Sequence, residues 1–313
     1  MKAREIVCPD LNAALEDWRG EGFRLESIYP ADDPQTAVLS RDGDIVRLTL
    51  RGAPQVPDTL PPFAPEFVLT RAGAAPAQGR AGMLYRDLIP DRLGGRYIAS
   101  HIVIPEGGPV ADWVHYHRVA LQMIFVRRGW VRVVYEDQGE PFVMQQGDLV
   151  LQPPLIRHRV LESSAGLEVV EISAPALHET FADHELALPN VVPTSRDFGA
   201  QRFLRHVAST SPWIAYHDAE AQETAMSEAT GGLADVRTIR PGSASRIDFE
   251  PHPGELVFGF VLGGTAQLER RDSERLGPAD AFVIPPGEAW GLSQMTADLR
   301  LLHVTTERLD GGA

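Results

Sequence analysis

Short runs of apolar and aromatic residues, separated by Gly and Pro, dominate the chain from about residue 83 onward. Segments such as IFVRRGWVRVVYE and GFVLGGTAQLERR combine β-branched and aromatic residues with polar positions between them. Runs of this kind, bounded by turn residues, predict the strands of a barrel or jelly roll. The pattern therefore predicts a mainly β protein over most of its length.

Two blocks of this pattern match each other. In the first block IFVRRGWVRVVYE is followed by GDLVLQPPLIRHRVLE, and in the second GFVLGGTAQLERR is followed by ADAFVIPPGEAWGLSQ. Placing Gly129 on Gly264 and Asp148 on Asp280 aligns the two halves with one small gap. A repeat of this size indicates a duplicated domain, so we expect two tandem β-barrels.

The N-terminal part follows a different pattern. Asp10 is placed to cap a short helix that ends near Gly20 and Gly22, and the strand-like runs RLESIY and TAVLSRDGDIVRLTL follow it. The second run folds back at Asp42-Gly43 as a hairpin. This order resembles a half-module of the glyoxalase-like (vicinal oxygen chelate) family. Because the strands lack His and Glu at ligand positions, we interpret the unit as an accessory or dimerisation element.

Pro, Ala and Gly residues are concentrated in the next segment, which favours an extended linker that wraps the surface. The predicted organisation is a small α+β unit at 1–52, this linker at 53–82, a first barrel at 83–175, a connecting segment at 176–230 and a second barrel at 231–313.

A candidate metal site lies in the first barrel. His115 and His117 are two residues apart, and side chains at that spacing on a strand point to the same face, here the barrel interior. His158, from a later strand, can close the site. Gln122 follows the histidine pair by five residues.

These residues resemble the two sequence motifs of the cupin superfamily, in which HxH, a following Glu and a distant His bind one divalent metal. The match covers residues 97–172 closely and 236–306 loosely, so the chain is identified as a bicupin with two tandem cupin (jelly-roll) barrels. Gln122 stands where the family has Glu. A neutral amide is a poor ligand for a hard cation, so we expect Gln122 to act beside the metal, as a catalytic residue that orients water or substrate.

Three neutral imidazoles suit one divalent transition metal and leave coordination positions open. Fe(II) is favoured here, while Zn, Mn, Ni and Cu are alternatives. Because no protein carboxylate offsets the charge of the metal, the site is expected to attract an anionic or enolisable substrate as a chelating partner.

The second barrel has a degenerate copy of the site. The alignment places Glu250 and His252 at the positions of the histidine pair, Val257 at the position of Gln122 and Trp290 at that of His158. One ligand-type residue beside a carboxylate is a weak set, so we expect this barrel to have a structural role without a metal.

Other residues are weaker candidates for a functional role. His101 and Tyr97 share one parity on a strand and are predicted to line the cavity mouth, and Arg132 is a candidate for binding a substrate carboxylate. His178 and His184 lie in a loop-like acidic stretch and are predicted to be surface or lid residues.

Three functions fit this chemistry. The first is an Fe(II) dioxygenase-type oxidoreductase that acts on a small organic anion with O₂. The second is a non-redox isomerase, lyase or cyclase in which the same metal acts as a Lewis acid. The third is a cupin that binds a small molecule without catalysis.

Composition narrows the range of partners. The formal net charge is -14, and no run of Lys and Arg could follow a phosphate backbone or an anionic membrane surface, so nucleic acid and membrane are not expected partners. Cys8 is the only cysteine, and the N-terminus lacks the apolar core of a secretory signal, which predicts a cytoplasmic protein. The family resemblance implies a homodimer.

Overall fold

The computed structural model describes residues 3–78, 83–190 and 196–309, and β-strands dominate all three ranges. The N-terminal unit and the segment after it contain these elements: β1 (Arg4–Cys8), α1 (Leu11–Gly20), β2 (Arg24–Tyr29), β3 (Thr36–Arg41), β4 (Asp44–Leu50), β5 (Val68–Thr70) and β6 (Ala77–Gln78). Within the described residues, no helix is both long enough and apolar enough to cross a bilayer.

The first barrel and the segment that follows it contain these elements: β7 (Leu84–Asp87), α2 (Arg92–Gly95), β8 (Ile98–Ile104), β9 (Gly108–Pro109), β10 (His115–His117), β11 (Leu121–Arg128), β12 (Trp130–Tyr135), β13 (Phe142–Gln145), β14 (Leu149–Leu151), β15 (His158–Ser163), β16 (Leu167–Ala174), β17 (Thr180–Ala182) and β18 (Leu204–His206).

The remainder of the chain contains these elements: β19 (Ile214–Tyr216), β20 (Ala219–Glu223), α3 (Met226–Ala229), β21 (Ala234–Arg240), β22 (Arg246–Phe249), β23 (Leu256–Gly263), β24 (Ala266–Glu269), β25 (Glu274–Leu276), β26 (Ala281–Val283), β27 (Trp290–Ser293) and β28 (Arg300–Thr306).

These strands form four sheets, which we number I to IV. Sheet I has the order β1-β4-β3-β2-β17-β10-β15-β12-β13, with β9 beside β15, and sheet II has the order β18-β14-β11-β16-β8-β7-β6. Sheet III has the order β19-β20-β21-β28-β23-β26-β5, and sheet IV has the order β22-β27-β24-β25. Sheets I and II enclose the first barrel, and sheets III and IV enclose the second. The predicted pair of β-barrels is therefore confirmed.

The predicted helix and the strands after it are present in the N-terminal unit, together with β1, which sequence analysis did not predict. Asp10 caps α1, because its Oδ1 accepts a hydrogen bond from the backbone N–H of Ala13 at 3.1 Å. The hairpin between β3 and β4 turns at Asp42 and Gly43, whose φ angles of 50° and 87° explain why Asp and Gly occupy a turn of this kind. Strand β2 pairs with β17, so the unit extends sheet I of the first barrel.

Sheet II is buried on both faces. On β11, Leu121, Met123 and Phe125 pack against the second barrel, whereas Ile124 and Val126 point into the first barrel. One apolar cluster contains side chains from sheets II and III, so the two barrels share a core. Buried apolar surface on this scale favours a fixed arrangement of the two barrels.

Each barrel receives a strand from the segment that precedes the other barrel. Strand β5 precedes the first barrel but pairs with β26 in the second, and β18 precedes the second barrel but pairs with β14 in the first. The aligned residues Asp148 and Asp280 secure these strands, because they accept hydrogen bonds from the backbone N–H groups of Ala208 and Ala72 at 2.9 and 2.8 Å. The described parts of the predicted linker and connecting segment thus contribute strands to the barrels, while residues 79–82 and 191–195 lie outside the described residues.

A buried ion pair joins the barrels. The Arg96 guanidinium donates two hydrogen bonds to the Glu255 carboxylate, at 2.9 and 2.7 Å, and the Tyr97 hydroxyl donates to the same carboxylate at 3.1 Å. The side chains of Arg96 and Glu255 are 12% and 5% exposed, so losing one partner would leave a charge in a poorly solvated place.

We expect Glu255→Ala to lower the free energy of unfolding by about 3 kcal/mol, because Arg96 would remain buried without its carboxylate. Equilibrium urea unfolding followed by tryptophan fluorescence measures this change. Glu162→Ala is the control, since Glu162 forms a half-exposed pair with Arg132 and should change stability by less than about 1 kcal/mol. Equal losses in the two variants would contradict the structural role of the buried pair.

Candidate metal centre

Three buried histidines converge inside the first barrel. His115 on β10 is paired directly with His158 on β15, and their ring centroids are 4.2 Å apart. His117 lies 5.2 Å from each of them. Their candidate ligand nitrogens all lie within 4.8 Å of one another, which is close enough for one divalent ion to contact all three. The structure thus brings together the three histidines that the sequence predicts to share one site.

Hydrogen bonds at Nδ1 orient the three rings. Nδ1 of His115 is 2.8 Å from the Trp113 carbonyl oxygen, and Nδ1 of His158 is 3.1 Å from that of Ile156. A carbonyl oxygen can only accept, so both Nδ1 atoms carry the proton and Nε2 carries the lone pair of the neutral ring. Nδ1 of His117 contacts Thr180 Oγ1 at 2.9 Å. Such outer contacts are typical of metal-binding imidazoles, so the residues present fit a divalent transition metal.

Gln122 lies on β11, buried at the wall of the same cavity. Its Nε2 donates a hydrogen bond to Glu171 Oε1 at 2.9 Å, and the same oxygen accepts one from the Ser173 hydroxyl at 3.2 Å. Glu171 is a carboxylate that sequence analysis did not select. Its parity on β16 matches that of the inward-facing Leu167 and Val169, and that signal could have identified it.

His178 also lines this cavity, contrary to the prediction that it is a surface residue. It is 5% exposed, and its ring stands edge-on to His117 with centroids 5.5 Å apart. Its Nδ1 donates to the Pro175 carbonyl oxygen at 3.0 Å. Burial lowers the pKa of this imidazole, which favours the neutral ring. The acidic residues around it in sequence suggested a solvated loop, but the chain turns inward here beside β17.

The structure places Tyr97 and His101 away from the cavity, so the prediction that they line its mouth is wrong. His101 on β8 and Tyr97, which immediately precedes β8, face the second barrel. The Tyr97 hydroxyl contacts Thr306 Oγ1 at 2.7 Å, and His101 contacts Glu168 and Arg86 at 2.8 and 3.3 Å. The inward parity on this strand belongs instead to Ile98, Ser100, Ile102 and Ile104.

Arg132 and His184 lie outside the cavity as well. Arg132 is an exposed residue of β12 and pairs with Glu162 at 3.6 Å, so its position does not support contact with a bound substrate. His184 is 28% exposed, and its Nε2 lies 2.7 Å from the Leu25 carbonyl oxygen. It therefore connects the first barrel to the N-terminal unit.

In the second barrel, aromatic rings stand at the corresponding positions. Phe249 is paired with Trp290 as His115 is paired with His158, so the counterpart of the first histidine is Phe249 rather than Glu250. The two rings stack with centroids 3.9 Å apart and an interplanar angle of 3°. His303 takes the position of Glu171, and burial lowers its pKa to about 3.

Comparison with known proteins agrees with this architecture. Residues 100–173, which contain the three histidines, match the Cupin domain family. This part of the chain is a cupin domain. The three histidines of this domain lie on two of its strands, β10 and β15, and their geometry is one that could hold a metal ion. No curated protein matches the sequence.

Solved structures resemble a larger part of the chain. A deletion mutant of Bacillus subtilis oxalate decarboxylase OxdC is 14% identical over 80% of this chain and 80% of its own, with a TM-score of 0.56. Protein Ylba from E. coli is 11% identical over 80% of this chain and 94% of its own, with a TM-score of 0.54. At these identities the likeness shows a shared cupin jelly-roll fold. The glyoxalase-like resemblance of the N-terminal unit stays a prediction.

We expect the purified protein to hold about one divalent transition metal per chain, and His158→Ala to lose it, because one of three ligands would be absent. Elemental mass spectrometry of protein prepared without chelator or metal-affinity tag measures the content. His252→Ala is the matched control in the second barrel and should retain the metal. Loss of metal from His252→Ala but not from His158→Ala would instead place the metal site in the second barrel.

Proposed function

We propose that the first cupin barrel is a dioxygenase-type oxidoreductase that uses Fe(II) and O₂ to cleave a small organic anion. The observation that supports this most directly is the donor set. Within the described residues, three imidazoles and no carboxylate form the ligand cluster. A dication held by neutral ligands keeps its full charge and favours an anionic substrate as a further ligand.

Fe(II) at this site would supply electrons to O₂ and a positive charge that stabilises the enolate form of the substrate. In the net reaction a carbon–carbon bond of the substrate breaks, and both atoms of O₂ enter the two carbonyl-containing products. No other oxidant or reductant is needed for this balance.

Among the described carboxylates that line the cavity, we assign removal of the substrate proton to Glu171. Its carboxylate lines the cavity, and the Gln122 amide and the Ser173 hydroxyl hold one of its oxygens in place. A carboxylate within reach of the carbon between the two carbonyl groups of the substrate would act as a general base and form the enolate. Gln122 then has a positioning role, which it exerts through Glu171.

Buried rings complete the wall around the histidines. The Tyr135 ring stacks on His158 with centroids 5.5 Å apart, and burial raises the pKa of its hydroxyl, so the phenol stays protonated. His178 stays neutral for the reason given above. Neither side chain therefore adds a charge that would compete with the substrate for the metal, and both exclude water from one side of the site.

Glu171 also favours a second candidate function. With Zn(II) or Mn(II) as a Lewis acid, the same base could serve an isomerase, lyase or cyclase reaction that needs proton transfer alone. This reaction would proceed without O₂.

We expect Fe(II)-loaded protein to consume O₂ with a 1,3-dicarbonyl substrate and to incorporate both oxygen atoms into the products. An oxygen electrode and mass spectrometry with ¹⁸O₂ measure uptake and incorporation. Full turnover under argon would instead support the Lewis-acid reaction. His117→Ala, which lacks a ligand, is the negative control, and activity in its metal-free form would contradict both reactions.

We expect Glu171→Gln to lower kcat about 100-fold or more with little change in metal content, because the proposed base would be absent while the ligands remain. Steady-state kinetics and elemental analysis measure the two quantities. Glu162→Gln, the same substitution at a half-exposed residue of β15, should leave kcat unchanged. A Glu171→Gln enzyme with normal kcat would show that another group moves the proton.

A further inference from the structure

The cavity of the first barrel has a polar end and a long apolar part. Its volume is about 340 Å³, near the lower end of sites that hold drug-sized molecules. The polar lining residues include Gln122, Gln152, Glu171 and His178 in the first barrel, and Asn12, Arg19 and Asp32 in the N-terminal unit. Much of the remaining wall is aliphatic, with these residues among others: Ile98, Ile102, Ile104, Ile124, Val131, Val133, Leu167 and Val169.

Charge in the cavity wall disfavours a second anionic group on the substrate. Among the described lining residues Arg19 is the one Lys or Arg, and it lies on the exposed side of α1. Three carboxylates line the same cavity: Asp32, Asp112 and Glu171. A dicarboxylate as small as oxalate would have the metal as its main counter-charge and would leave most of the apolar wall in contact with water.

The N-terminal unit supplies part of this apolar wall. Leu15 from α1 and Leu25 and Ile28 from β2 all line the cavity. Their positions are connected to the metal ligands through backbone pairing, because Ile28 pairs with Thr180 on β17, and Thr180 pairs with His117 on β10. The unit is therefore held two strands away from the site as a continuation of sheet I.

Resting on the function proposed above, we propose that the substrate is an apolar molecule with one chelating pair of oxygens at one end, and that the N-terminal unit selects its apolar body. The chelating end binds the metal among the histidines. The aliphatic wall and the side chains of Leu15, Leu25 and Ile28 enclose the other end. The N-terminal unit is thus a specificity-determining part of the site as well as an extension of the sheet.

A homologous series of chelators tests the substrate class. Acetylacetone, heptane-2,4-dione and nonane-2,4-dione have the same chelating group at one end and differ by two methylenes at each step, all added on one side. Titration calorimetry under argon, with Zn(II)-loaded and with metal-free protein, requires no redox chemistry. We expect the affinity to rise about tenfold at each step, because each step buries two further methylenes, and oxalate to bind more weakly than nonane-2,4-dione. A flat series, or tighter binding of oxalate, would overturn the proposed substrate class.

Two variants of α1 test the role of the N-terminal unit. Leu15→Glu places a charge in the cavity wall and should weaken nonane-2,4-dione at least tenfold while changing acetylacetone less than threefold, because the short chelator does not reach α1. Ala13→Glu adds the same charge to an exposed position of the same helix and should leave both affinities unchanged. The milder Leu15→Ala should shift the preference toward a longer homologue even where the charged variant folds poorly. Equal effects on short and long chelators would refute selection by α1.

The argon experiment separates this inference from the proposed reaction. If affinity rises along the series but the protein does not consume O₂, the dioxygenase reaction is contradicted and the proposed substrate class is supported. If the protein consumes O₂ but affinity is the same along the series, the dioxygenase reaction is supported and the proposed substrate class is contradicted.

Discussion

Burial of sheet II on both faces is the constraint on which the other features depend. Side chains of a strand alternate between its faces, so the central strands β8, β11 and β16 each contribute one set of residues to the metal cavity and the other to the contact with the second barrel. A slip of one residue on β11 would move Gln122 into the interface and Met123 into the cavity. Both environments therefore fix the register of β11, and the position of Gln122 in the cavity wall depends on packing between the barrels.

The features that sequence analysis predicted correctly have short-range causes. The spacing of His115 and His117 fixes a common face on any strand, and the hairpin at Asp42-Gly43 needs residues that tolerate positive φ. The repeat alignment through Asp148 and Asp280 was correct because each carboxylate holds an equivalent turn. Such features can be predicted from one stretch of sequence because residues within that stretch determine them.

The features that sequence analysis missed depend on contacts between distant segments. Parity placed Tyr97 and His101 on the same side of the chain correctly, but both faces of β8 are largely buried, so the hydrophobic pattern alone could not decide which face lines the cavity. His178 looked solvated because its acidic neighbours are near in sequence, whereas the residues that surround it come from other strands. Phe249 replaced Glu250 as the first-histidine counterpart because strand pairing, rather than residue type, defines equivalence.

The exchange of strands between the barrels has a consequence for synthesis of the chain. Strand β5 leaves the ribosome early, yet its partner β26 is made only near the end, so its backbone groups must stay unpaired with β26 while the whole first barrel is produced. The first barrel likewise lacks β18 until the connecting segment has emerged. Neither half is complete as a separate unit, and final closure of both depends on contacts that are very distant in sequence, which are slow to form. During that interval an open sheet edge is exposed to other chains. Each barrel thus depends for its closure on a strand from the segment that precedes the other barrel.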